Sequence, residues 1–444
     1  MTLATPITVI RGRFLDIQKT VSQATEIADQ VRYIEDGVLI TEQGKIRWFG
    51  TWNDAQAHLP ANVEIQHYPD QLIIPGMIDT HIHFPQTEMV GAYGEQLLSW
   101  LNTYTFPTEI QFKDQAYAEE IAKFFVQELL KNGTTTALVF CTVHPESVNA
   151  LFEAAEQYQM RLIAGKVMMD RHAPEALCDT AESAYDDSKA LIEKWHGQGR
   201  ALYAITPRFA PTSTPEQLEK AGQLKAEYPD VYVHTHLSEN KDEIAWVKDL
   251  FPAQKGYLDV YHHYGLTGQR SVFAHCVHLE DTEWKCMHET NSAIAFCPTS
   301  NLFLGSGLFP LKKTWEQQVK VGLGTDIGAG TSFSLLQTIN EAYKVQQLQG
   351  DKLSAFESLY HATLGGAKAL DLDDKLGNFN IGKEADFVVL NLQATALQQL
   401  RQSRSKSIDD SLFALFTMGD DRNIEATYIY GQKAYSANSS IQYT

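Results

Sequence analysis

Cysteine is scarce, with only Cys141, Cys178, Cys276, Cys286 and Cys297 in 444 residues. They are scattered, odd in number and never spaced as Cys-x-x-Cys, which excludes a disulfide framework and fits reduced thiols in the cytoplasm. Long apolar runs are missing too. No stretch approaches the roughly 18 consecutive apolar residues of a spanning helix. The first residues, MTLATPITVIRGRFLDI, alternate like a strand where a signal peptide would carry an apolar block. Positive charge is in the minority, 36 Lys and Arg against 55 Asp and Glu, for a net charge of −19. That balance argues against a nucleic-acid or anionic-membrane partner but leaves a free base or nucleoside open as ligand. Internal repeats and low-complexity tracts are absent as well.

What is present is an ordinary globular composition, 44% hydrophobic and 20% charged. The length exceeds what one core usually sustains, so a large domain with a smaller companion is expected. Up to about residue 70 the chain alternates short strands with turns, the hairpin positions being Asp36-Gly37 and Gln43-Gly44. From Leu72 the pattern becomes strand, then helix, repeated. Strands are expected at 72–83, 134–140, 161–169, 201–211, 231–239, 271–279, 292–301 and 319–328, with amphipathic helices such as 115–131, 145–159, 180–196 and 215–228. Eight such units make an α/β fold of the closed (β/α)8 type. The tail returns to turns and strands in GKEADFVVLNL and IEATYIYGQKAYS. The expected division is therefore 1–71 and 376–444 as two parts of a small β-sandwich domain, with the barrel at 72–375 between them.

The chemistry gathers at the strand ends. In PGMIDTHIHFPQTE, His81 and His83 stand two apart on a strand and so project to one face, half of a metal site. Asp79, two residues upstream, is placed to orient an imidazole. Three later strand ends match: His234-Thr235-His236 with Glu239, then His275, then Asp326. In a barrel of this kind reactive groups come from the C-terminal ends of different strands. The donors form a nitrogen and oxygen set suited to zinc or ferrous iron. GLGTDIGAG has clustered glycines, but not the dinucleotide-binding spacing.

This pattern resembles the amidohydrolase superfamily, in which His-x-His follows strand one, single histidines follow strands five and six, and Asp follows strand eight. The strand-four end, Thr206-Pro207-Arg208-Phe209, lacks the Lys or Glu of two-metal members. The resemblance therefore implies one divalent metal per chain, zinc in the first place with iron as the alternative. HFPQTEMVGAYGEQLLSWLNTYTFPTE, PRFAPT, HTHLSE and GTDIGAGTSFS are similar to the branch of deaminases that act on guanine. What the resemblance implies is hydrolysis of guanine to xanthine and ammonia by a metal-activated water, in a homodimer. His81, His83, His236 and Asp326 would bind the metal, His275 and Asp326 would hold the water, and Glu239 would shuttle the proton. Gln86, Arg208 and Phe209, with His236 and Asp326, would contact the base. His234 is expected behind the ligands or on the substrate wall; Trp100 and Tyr104 belong to a lid or to helix packing. The competing readings are a deaminase or chlorohydrolase of another heterocycle, and a non-catalytic scaffold.

Overall fold

The computed structural model describes residues 7–93 and 97–437; Gly94 to Gln96 of the quoted HFPQTE stretch lie outside them. In chain order the strands are β1 Ile7–Ile17, β2 Val31–Glu42, β3 Lys45–Thr51, β4 Ile65–Pro75, β5 Met77–His83, β6 Thr134–Phe140, β7 Arg161–Gly165, β8 Val167–Met168, β9 Leu202–Pro207, β10 Tyr232–Leu237, β11 Ser271–His275, β12 Ala293–Phe296, β13 Lys320–Leu323, β14 Phe387–Leu390, β15 Ile424–Ile429 and β16 Gln432–Ser436. They form two sheets. The expected sandwich takes the form of one continuous seven-stranded sheet, β16-β15-β14-β4-β1-β2-β3, built from both chain ends.

The second sheet runs β5-β6-β7-β9-β10-β11-β12-β13, with β8 paired to β9, and every pairing in it is parallel. Its strands are buried on both faces, as parallel strands covered by helices must be. The last strand meets the first where Thr80 Oγ1 donates to Leu323 O at 2.9 Å and Asp326 N donates to His81 O at 2.9 Å. The connecting helices begin on side-chain caps: Asp114 for Gln115–Lys131, Thr180 for Ala181–Trp195 and Thr214 for Pro215–Glu227.

Three expectations change. The strand beginning at Leu72 is not one strand. Leu72 to Pro75 pair with β14 in the end sheet, and the chain enters the barrel only after Gly76. A Cβ at Gly76 would stand 2.0 Å from Thr135 Oγ1, so only glycine lets the chain cross between the sheets there. Asp36-Gly37 is not a turn: β2 runs through it, with Gly37 opposite Gly12 and pressed on the Phe14 ring. The true hairpin is Gln43-Gly44, both at positive φ. The tail also holds helices at Ala396–Gln402 and Ile408–Met418, the second burying Leu412, Leu415 and Phe416. Among the described residues no helix is long and apolar enough to cross a membrane.

The GKEAD segment explains how the sheets are joined. Arg200 donates to Glu384 at 2.6 Å and to Asp386 at 3.1 Å, and Arg161 donates to Glu384 at 3.0 Å. The Arg200 and Asp386 side chains are only 7% and 2% exposed. Removing one partner from such a pair strands the other charge. We predict that Asp386→Ala lowers the unfolding free energy by about 3–5 kcal/mol, read as a fall in the urea midpoint; an unchanged midpoint would show that the cluster is not holding the barrel to the tail.

Candidate active site

Each candidate residue comes from the C-terminal end of a barrel strand or the segment after it. β5 delivers His81 and His83, β10 delivers His234 and His236, and β11 ends on His275. Asp326 follows β13, and Gln86 lies in a short 3-10 turn, Phe84–Met89, that folds back after β5. The backbone at His275 and Asp326 has φ of 71° and 53°. Side-chained residues rarely accept this left-handed conformation, and when they do it is usually where a site demands it. The glycines of GLGTDIGAG serve close approach: a Cβ at Gly324 would lie 2.9 Å from His81 Cβ and 3.0 Å from its carbonyl oxygen.

The ligand atoms offered by His81, His83 and His236 all lie within 4.8 Å of one another, as do those of His81, His275 and Asp326. His236 Nδ1 donates to the Arg208 carbonyl at 2.7 Å. A carbonyl only accepts, so His236 Nε2 carries a bare lone pair. It faces His83 Nε2 at 3.2 Å. Asp326 Oδ1 stands 3.1 Å from His81 Nε2 and 3.4 Å from His83 Nε2. His81 Nε2 is buried without a hydrogen-bond partner. Burial holds His81, His83 and His236 well below the ordinary imidazole pKa, and the neighbouring positive groups reinforce it, so all three are neutral at pH 7. Ligand atoms about 2.0–2.1 Å from a shared tetrahedral ion stand roughly 3.4 Å apart, the spacing found here. The donor set fits a divalent cation.

Behind this group, His234 Nε2 contacts His81 Nδ1 at 2.8 Å, so His234 orients His81 and does not form a wall of the cavity. Asp79 holds no imidazole. Its carboxylate accepts the backbone N–H of His81 at 3.1 Å and of Thr325 at 3.1 Å, tying β5 to the end of β13.

Glu239 and His275 face each other at 3.4 Å, and His275 Nε2 stands 3.8 Å from Asp326 Oδ2. Burial pushes Glu239 up to about 7, against the opposing pull of His275. Burial disfavours charge on His275, but Glu239 and Asp326 outweigh it and raise its pKa. Two residues that sequence reasoning missed fix this pair. Asn301 Oδ1 contacts His275 Nδ1 at 2.9 Å, and Ser306 donates to Glu239 Oε1 at 2.9 Å. Both follow β12, a strand end for which no site residue was expected. Their signal was the polar Ser300-Asn301 pair just past a buried strand. Glu243, also missed, accepts the backbone N–H of Glu239 at 3.0 Å.

A cavity with an empty volume of ≈ 440 Å³, its mouth included, opens onto these groups. Its lining brings together Gln86, Arg208, Phe209, Glu239, His275 and Asp326. Leu97, Trp100, Leu101 and Thr105 line it as well. Trp100 is a buried wall residue, with Tyr104 packed against it at 5.0 Å between ring centroids. Arg208 is paired with Glu109, a buried carboxylate for which no role was expected from the sequence.

The amidohydrolase family model matches residues 72–434, and the chain belongs to that family. Within it the similarity is to guanine deaminases. The guanine deaminase of Escherichia coli is 63% identical over 97% of this chain and 98% of its own. The solved structure of E. coli guanine deaminase superposes with a TM-score of 0.95 at 61% identity, covering 98% of this chain and all of that one. The C. acetobutylicum guanine deaminase, solved with guanine bound in its active site, gives a TM-score of 0.87 at 31% identity over 97% of this chain and 100% of its own.

If the converging donors hold a cation, His83→Ala should lose most of the metal measured per chain by elemental analysis. Removing the metal from the unaltered protein with a chelator should lower its Tm, because a ligand bound only by the folded state stabilises it. Ser306→Ala should keep the metal yet lower kcat about tenfold, since it frees Glu239 without touching a donor. Equal metal content in His83→Ala would rule out this donor set.

Proposed function

We infer that this chain hydrolyses guanine to xanthine and ammonia. The observation that carries the reading is that a single cavity is lined by proton-handling groups and by groups suited to a purine edge and face. The guanine deaminases described above, one with guanine in its active site, support the choice of substrate.

His81, His83, His236 and Asp326 would hold one divalent cation. Three imidazoles and a carboxylate favour zinc, with ferrous iron as the alternative. Such an ion, when bound, lowers the pKa of a coordinated water towards neutrality. The remaining work falls to side chains. His275, fixed by Asn301, and the free oxygen of Asp326 orient the water and draw its proton. Glu239, poised near neutrality, passes a proton to the ring nitrogen beside C2 as oxygen adds to that carbon. A second proton, delivered to the amino group, lets the C2–N bond break and ammonia leave, and the carbonyl of xanthine forms. Arg208 donates to the purine carbonyl, the Gln86 amide contacts the edge, and Phe209 covers the face of the ring. Five free thiols and the family resemblance support a cytoplasmic homodimer as part of this reading.

The test is ammonia release from guanine, adenine, adenosine, cytosine and a triazine by metal-replete protein. Release from guanine alone, with xanthine as product, is expected; release from a different heterocycle would discard the base assignments. Glu239→Gln should retain metal while kcat falls at least about 100-fold. Arg208→Ala should raise KM for guanine about tenfold or more; wild-type turnover in the first variant would refute the proton-transfer role.

A further inference from the structure

Gln86 and Arg208 leave different strand ends, yet a single carboxylate on a third element holds both. Glu109 closes the short helix Phe106–Glu109 and is fully buried. Its Oε1 accepts from Gln86 Nε2 at 3.2 Å and from Arg208 Nη1 at 3.0 Å, and its Oε2 accepts from the same Nη1 at 2.8 Å. The Arg208 guanidinium also lies 5.6 Å over the Phe106 ring, on the same helix. Helix and cavity wall are one run of chain, since Trp100, Leu101 and Thr105 immediately precede it.

This contact decides which way the Gln86 amide faces. A carboxylate only accepts hydrogen bonds, so the atom turned to Glu109 must be the NH2 group, and Oε1 is directed away from it. Gly328 leaves that oxygen room: a Cβ there would sit 2.9 Å from Oε1. An amide without such an anchor can flip and offer donor or acceptor alike. The Arg208 guanidinium, 3% exposed, has donors only, and Glu109 supplies the charge that lets it remain buried beside the cavity.

Taking Gln86 and Arg208 as the base contacts assigned above, we propose that Glu109 is a positioning residue that sets purine specificity. By fixing an acceptor at Gln86 and donors at Arg208, it makes the site select a lactam edge, N–H beside C=O. Guanine and hypoxanthine present that edge. Adenine presents the reverse, a bare ring nitrogen beside an amino group, and would set acceptor against acceptor and donor against donor. Sites built around buried polar pairs reject such mismatches strongly, because the unpaired groups lose their water without gaining a partner.

The test compares unaltered, metal-replete protein with Glu109→Gln, Glu109→Asp and Arg208→Ala. The readouts are metal per chain, kcat and KM for guanine, and inhibition by hypoxanthine against adenine. The unaltered protein should bind hypoxanthine at least about 100-fold more tightly than adenine. Glu109→Gln should keep its metal, raise KM more than it lowers kcat, and compress the hypoxanthine preference at least about tenfold. Glu109→Asp, with its carboxylate drawn back by one methylene, should fall between the two. A folded Glu109→Gln that keeps the full preference overturns the proposal. Should Glu109→Gln fail to fold, Glu109→Asp decides: a reduced preference supports the proposal and an unchanged one overturns it. An unaltered protein indifferent to both purines, or an unchanged KM in Arg208→Ala, removes the base-contact assignment and the proposal with it. Preference lost in Arg208→Ala but intact in Glu109→Gln removes the Glu109 role alone.

Discussion

Lone pairs brought face to face within about 3.4 Å are the constraint on which this molecule is built. His236 is committed through Nδ1 to a backbone carbonyl, and its other nitrogen looks at that of His83. A carboxylate oxygen completes the group from Asp326. Burial keeps the imidazoles neutral, so protons do not relieve the confrontation. Part of the cluster is fixed from behind: His81 by His234, His236 by the Arg208 carbonyl, and the backbone of β5 and of the β13 end by Asp79. A divalent cation would convert the repulsion into coordination.

The site divides into a part that the sequence displays and a part that it hides. His81, His83, His234, His236, Glu239, His275 and Asp326 were legible because short strands have fixed periodicity and because barrel chemistry sits at strand ends. The eight barrel strands were legible for the same reason, as near-continuous apolar runs between helical patterns. Glu109 was not. It lies in a helix past the wall of the cavity, and its pairing with Gln86 and Arg208 is set by how that helix docks. Asp79 shows the converse error, since its position near two histidines suggested an imidazole partner, whereas the fold brought the Thr325 amide closer. The boundary at Leu72 was misplaced because apolar residues on both sides of Gly76 read as one strand, although they belong to two sheets.

The two halves of the cavity are built to different rules. His275 and Asp326 sit at strand ends with backbone torsions that side-chained residues seldom adopt. The groups assigned to the base instead meet around one ion pair that joins a strand end to the helical wall. Reactivity and recognition therefore draw on separate supports, and the second is a contact between elements that could be altered without disturbing the donors.

The crossing at Gly76 also bears on when the site can come into being. β4 ends in the outer sheet and β5 begins in the barrel with one residue between them, so the strand bearing His81 and His83 is moored directly to the end sheet. Of the two neighbours of β4 there, β1 is made before it and β14 is among the last strands of the chain. During synthesis the strand bearing His81 and His83 is made early, next to a β4 that already has β1 to pair with, but β4 gains its second neighbour only once the tail has emerged. A growing chain thus carries His81 and His83 long before the sheet that anchors them is complete.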